Sequence, residues 1–175
     1  MLAVMDGQLE TNMGNEKAAR GFAVTRLESP LERIDDVLTL RDMLAPESAV
    51  GHEGPSAAHS NEEKLRKACE NYDPERDIML EMRRNDMVVG FLAARAEEYV
   101  LTITDFRIDA STDEEGVVEN LLEELAVEAH DVRAERIEIE VPNRERHLID
   151  ALLAEGMHIA SQEGGDTVRL SMGVE

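Results

Sequence analysis

The 175-residue chain has a single cysteine, only three lysines, and no apolar run long enough to cross a bilayer. Each shortage removes a class of protein. One thiol, Cys69, cannot build an internal disulfide framework, which points to a reducing compartment. It falls with Leu65, Ala68 and Tyr72 on one helical face, so it reads as a packed core thiol rather than a nucleophile. Nothing approaches the roughly 18 consecutive apolar residues of a membrane helix, and the opening Met-Leu-Ala-Val-Met-Asp is too short and acidic for a secretory signal; a cytoplasmic protein is expected. Positive charge is scarce, with 18 Lys and Arg against 39 Asp and Glu and a net charge of -21. Such a surface repels nucleic acid and anionic membrane, so neither is an expected partner, and it attracts cations. The acidity has three readings: a solubility device for a salty cytoplasm, a field that attracts polyamine-like or basic peptide substrates, or mimicry of a polyanion. No Walker-type loop, G-x-S-x-G elbow, basic-aromatic stripe, C-x-x-C or H-x-x-x-H spacing is present, so no metal is expected.

What is present suffices for one core, since 42% of the residues are hydrophobic. Residues 1–20 show no sustained period and read as a disordered or tag-like leader, leaving 21–175 as a single domain. "FAVTRLE" (22–28) alternates as a half-buried strand and ends at Ser29-Pro30. Ile34, Val37, Leu38, Arg41 and Leu44 form a helical stripe that stops before Pro46. Residues 46–60 have the Gly, Pro, Ser and Ala content of a binding loop, and an Asn cap followed by acidic residues starts a second helix over 61–73. Three strands follow at 77–84, 87–97 and 99–109, the first pair joined by a turn at Asn85-Asp86. A helix over 115–131 buries Val118, Leu121, Leu122, Leu125 and Ala129, and "ERIEIEV" (135–141) alternates strictly as a strand. The last helix spans 144–156, ending at Gly156, and a hairpin over 157–172 turns at Gly164-Gly165.

This order, β-α-α-β-β-β-α-β-α-β, resembles the GNAT superfamily of N-acetyltransferases over about residues 21–173. Local landmarks agree: Gly90 in the third strand, the fourth strand leading to Gly116 and Leu121-Leu122, Asn143 after the fifth strand, and Gly156-Met157. The resemblance implies an α/β fold of GNAT type, with a central mixed, mostly antiparallel sheet flanked by helices on both faces. It also implies an acetyl-CoA-dependent N-acetyltransferase acting on a primary amine, a cationic small molecule or peptide. In such a protein the backbone at Phe106, Arg107 and Ile108 pairs with the pantetheine arm. The amides at Gly116, Val117 and Val118 hold the pyrophosphate, as a helix N-terminus does for anions, and Asn143 orients the cofactor arm. A homodimer through the C-terminal strands is a further implication, for which "VRLSM" (168–172) is apolar enough.

The chain departs from the family at three chemically informative places. Its turn reads Asp113-Glu114-Glu115-Gly116-Val117-Val118, with an acid where the family has a cation or amide and Val118 in place of a second small residue; Glu119 adds another carboxylate. One inward carboxylate about 6 Å from a phosphate would cost roughly 3 kcal/mol at an effective dielectric near 20. Leu152 stands at the family's proton-donating tyrosine, and His147, five residues earlier, is a remote substitute. For a base, Asp105 and Asp109 flank the end of the fourth strand, while Glu138 and Glu140 alternate along the fifth; each also reads as an ordinary solvated carboxylate. The alternative is a catalytically inactive GNAT-fold binding or regulatory protein that does not use coenzyme A.

Overall fold

The computed structural model describes residues 21–45, 55–162 and 165–175. The proposed leader, the part of the expected loop over 46–54, and Gly164 of the hairpin turn lie outside them. Among the described residues eight strands form one sheet: β1 Phe22–Arg26, β2 Arg41–Asp42, β3 Asp77–Arg84, β4 Met87–Glu97, β5 Val100–Ile108, β6 Arg136–Pro142, β7 His158–Ser161 and β8 Thr167–Gly173. The spatial order is β1-β3-β4-β5-β6-β8-β7, with β2 added on β5. Every pairing is antiparallel except β5 with β6, because these strands are joined by a helical crossover.

Four α-helices cover the sheet: α1 Ile34–Val37, α2 Pro55–Glu70, α3 Glu114–Asp131 and α4 Arg146–Ala154. One face of the sheet packs on α3 and α4 through Leu80, Leu92, Phe106, Leu121, Leu125, Leu148 and Leu152. The other packs on α1 and α2 through Ile34, Val37, Leu65, Cys69, Met79 and Phe91. All five α3 residues expected inward are buried. Asn85 (φ 50) and Asp86 (φ 65) both take the left-handed conformation that a two-residue type I′ hairpin turn requires. Gly156 (φ 102) closes α4 as a Schellman motif: its amide bonds to the Leu153 carbonyl at 3.1 Å and the Met157 amide to Leu152 at 3.1 Å.

Two expectations are corrected. The helical stripe over 34–44 breaks after Val37, where Leu38 caps α1 and the Thr39 hydroxyl bonds back to the Asp36 carbonyl at 2.6 Å; Arg41 and Asp42 then enter a strand. A stripe that needed a charged Arg41 as one of its members was already a poor helix face. The second helix starts at Pro55 rather than Asn61, so 55–60 is helix, not loop. Proline suits that first position because its missing N–H would have no partner there and its φ is preset.

Candidate active site

The site develops at the C-terminal end of β5, where a bulge and a divergence of strands coincide. Ala93 and Ala94 of β4 face Asp105 and Ile103, leaving Thr104 as an extra residue. The insertion shifts the side-chain alternation, so Ile103, Phe106 and Ile108 all face the larger core while Asp105 lies on the α2 side. Pairing of β5 with β6 stops at Ile103–Ile139, although β5 continues to Ile108 and β6 to Pro142. Beyond that point the two strands are no longer neighbours, and a cleft opens between them.

The cleft is occupied by the chain itself. β4 holds one edge of β5 as far as Ile108, so β2, which pairs Arg41 with Ile108 and Asp42 with Arg107, must lie on the opposite edge, the one β6 has left. The Met43 amide donates to the Phe106 carbonyl at 2.9 Å, and the Met43 side chain is 1% exposed in the larger core. Arg41 reaches the buried Glu145 carboxylate at 2.6 Å, Asp42 lies 3.7 Å from the Arg107 guanidinium, and Arg144 donates to the Ala45 carbonyl. Residues 41–45 are therefore tied to β5 on one side and to the β6–α4 connection on the other. None of Arg41, Asp42, Met43, Arg144 or Glu145 was expected at the site from the sequence; the misread helix, which counted Arg41 in its stripe, hid the first three, and nothing local marks a buried Glu145.

The expected site residues separate on inspection. Phe106 and Ile108 are buried core side chains whose backbone edge carries the pairing just described. Arg107 is buried on the opposite face and donates to Asp105 at 2.9 Å. Burial pushes the Asp105 carboxyl up to about 6, against the pull of Arg107 and with a smaller upward contribution from Asp42. Asp109 instead stabilises the turn into α3, accepting from the Ser111 amide and hydroxyl at 3.2 Å and from the Thr112 hydroxyl at 3.4 Å. Glu140 faces away along β6 and accepts from the Thr167 hydroxyl at 2.7 Å. Asn143 binds the β7–β8 hairpin through its amide group to Gly165 and its backbone N–H to Asp166. Glu138 lies opposite Thr102 and pairs with Arg136 at 2.8 Å, so of the four carboxylates considered only Asp105 stands at the bulge.

At the start of α3 the first intrahelical bond runs from the Val117 amide to the Asp113 carbonyl at 3.3 Å. The amides at 114–116 precede it and have no intrahelical acceptor, so Gly116 offers a free N–H whereas those of Val117 and Val118 serve the helix. Both valine side chains are fully buried, so Val118 does not protrude into the turn. Gly90 lets α3 sit this low on the sheet, because a Cβ there would lie 2.6 Å from Val117 Cγ1. A cavity of about 320 Å³ beside the turn is lined by Asp113, Glu115, His147 and Asp150. His147 thus lies much nearer the helix start than its spacing from Leu152 suggested, while Leu152 is fully buried and offers no proton.

A second cavity, of about 660 Å³, opens on the α2 side of the bulge and is lined by Thr104, Ala93 and Ala94 together with Lys67, Asp73, Arg76, Asp77 and Arg95. Cys69, nearby in the smaller core, has its thiol pushed up to about 11, chiefly by burial and further by Asp105, so it stays neutral at ordinary pH.

No protein-family model matches the sequence, and no curated protein matches it. Solved structures do. The PaiA N-acetyltransferase of Thermoplasma acidophilum, determined in complex with coenzyme A, superposes with a TM-score of 0.66 at 12% identity, over 87% of this chain and 98% of that one. An aminoglycoside 6'-acetyltransferase of type Ii gives 0.64 at 15% identity, over 87% and 97%. A GNAT-family acetyltransferase from Streptococcus pneumoniae gives 0.61 at 16% identity, over 88% and 99%. The fold is GNAT. At these identities the likeness fixes the architecture, and the chemistry has to be argued from the residues.

Measured against coenzyme A, the residues of this GNAT fold divide. The β5 edge fits an extended arm, since an extended segment already pairs there through Met43 and Phe106. The turn supplies free amides, but among the described residues no Lys or Arg lines the cavity beside it, and its carboxylates oppose a pyrophosphate. Among the described residues no helix is long and apolar enough to cross a membrane, and no three His, Cys, Asp or Glu side chains converge as metal ligands.

Proposed function

We propose that this protein is an acetyl-CoA-dependent N-acetyltransferase acting on a cationic amine, with Asp105 as the proton acceptor. The observation that carries the reading is the placement of Asp105 immediately after the β5 bulge, at the point where β5 parts from β6. An amine must lose a proton as it attacks an acyl carbon, and a base tuned toward neutrality serves this best. With its carboxyl at about 6, Asp105 is ionised at pH 7 yet basic enough to accept that proton. The overall charge of -21 draws a cationic substrate toward the protein. Acetyl-CoA, when bound, would supply the activated acyl group, with the backbone edge at Phe106 and Ile108 and the free amides at 114–116 as the groups that hold it.

The proposal is tested by calorimetric titration of acetyl-CoA and coenzyme A at low salt and at about 1 M salt, followed by an amine screen with Asp105→Asn as control. Binding that strengthens with salt, and turnover lost in Asp105→Asn, are expected. Full activity in that variant would overturn the role of Asp105.

The cavity formed by Asp113, Glu115, Asp150 and His147 favours a second reading, in which the GNAT fold serves a binding or regulatory role without coenzyme A. Absence of binding at both salt concentrations selects it.

A further inference from the structure

We propose that residues Arg41–Ala45 form an autoinhibitory strand: the segment occupies the β5 edge in the free protein and must leave it before an acyl donor can pair there. The inference rests on the coenzyme A reading above, and deepens it by giving that site a closed state. Two extended chains cannot use one strand edge, because each carbonyl and amide along it aims at a single neighbour. The Phe106 carbonyl already accepts from the Met43 amide, and Ile108 is paired with Arg41.

The contacts that hold the segment suit reversible release. Arg41 is half exposed at its ion pair with Glu145, so water and salt weaken it. When Arg41 leaves, Glu145 keeps a second cation, Arg144, at 3.6 Å. When Asp42 leaves, Arg107 keeps Asp105 at 2.9 Å. Neither departure strands a buried charge, which is the usual reason such contacts are irreversible. The strand itself is only two residues long and is preceded by a helix of four, so little regular structure has to be dismantled. Met43 is the anchor, since its buried side chain must leave the core.

Hydrogen exchange at the Met43 amide reads the state of the strand directly, and calorimetry with acetyl-CoA reads its consequence. In the free protein the Met43 amide should be protected; saturating acetyl-CoA should speed its exchange at least tenfold while amides at Ile78 and Leu121 in the core stay protected. The double variant Arg41→Ala, Asp42→Ala should bind acetyl-CoA at least tenfold more tightly than the wild type. Met43→Pro, which removes the amide donor, should do the same if the double variant folds poorly. Binding of acetyl-CoA to the wild type with Met43 still protected, or equal affinities in wild type and variants, overturns the strand proposal alone. Failure of every form to bind at low and high salt overturns the coenzyme A reading together with it.

Discussion

Asp105 and Cys69 are neighbours in one buried patch, and burial pushes both toward their neutral forms with opposite consequences for function. The Asp105 carboxyl titrates near 6 in the fold against an ordinary 3.8. Between those values the folded protein holds more protons than the unfolded chain, so this group's contribution to stability falls as pH rises from about 4 to 6 and its cost is fully present at pH 7. The effect is on the order of 3 kcal/mol, and urea midpoints measured from pH 4 to 7 should lose that part of their slope in Asp105→Asn. Activity should fall in the same window as pH decreases, because the protonated form cannot accept a proton. Cys69, held neutral by burial, should react with a thiol reagent at pH 8 at least tenfold more slowly than a free cysteine thiol. Its core position was readable from the helical face it shares with Leu65. Asp105 could not be told from Asp109 or Glu140 along the sequence, because what separates them is the bulge at Thr104, a property of two paired strands.

Among the elements, α3 is seated closely on the sheet at Gly90. Its first turn rests on Gly90, where a methyl group would meet Val117 at 2.6 Å and Leu121 at 3.2 Å. Gly90→Ala should therefore cost about 1–3 kcal/mol by overpacking, and Val117→Ala in the same chain should recover much of it; a double-mutant cycle in urea checks the coupling. The C-terminal strands show a different constraint. β8 is paired on both sides, by β6 along its length and by β7 at Arg169–Ser171, so the middle of "VRLSM" has no free edge, and among the described residues the outermost strand at that end of the sheet is β7. A homodimer built by adding strand to strand there would have to use His158–Ser161.

For the whole molecule the dominant fact is a net charge of -21. Carboxylates crowd even across elements: Glu155 at the end of α4 is raised by burial and by Glu119 and Glu123 of α3. Screening at about 1 M salt shrinks the Debye length to roughly 3 Å, so the melting temperature should rise with salt, and a flat profile would refute self-repulsion as a burden on the fold. Replacing Asp113, Glu115 and Glu119 by their amides should raise acetyl-CoA affinity about tenfold or more at low salt, measured by calorimetry, and the gain should shrink as salt is added. The sequence by itself determined the amphipathic helix α3, the β3–β4–β5 meander, the Asn85-Asp86 turn and the Gly156 cap, because each depends on period, turn chemistry or a single residue's φ. It also determined the negative charge of the turn that enters α3. Only the tertiary structure decided which carboxylate stands at the bulge, that Val117 joins Val118 in the core, and that Arg41–Met43 fills the edge of β5. Those are pairings between segments far apart along the chain, and short-range patterning carries no information about which distant edge a two-residue strand will meet.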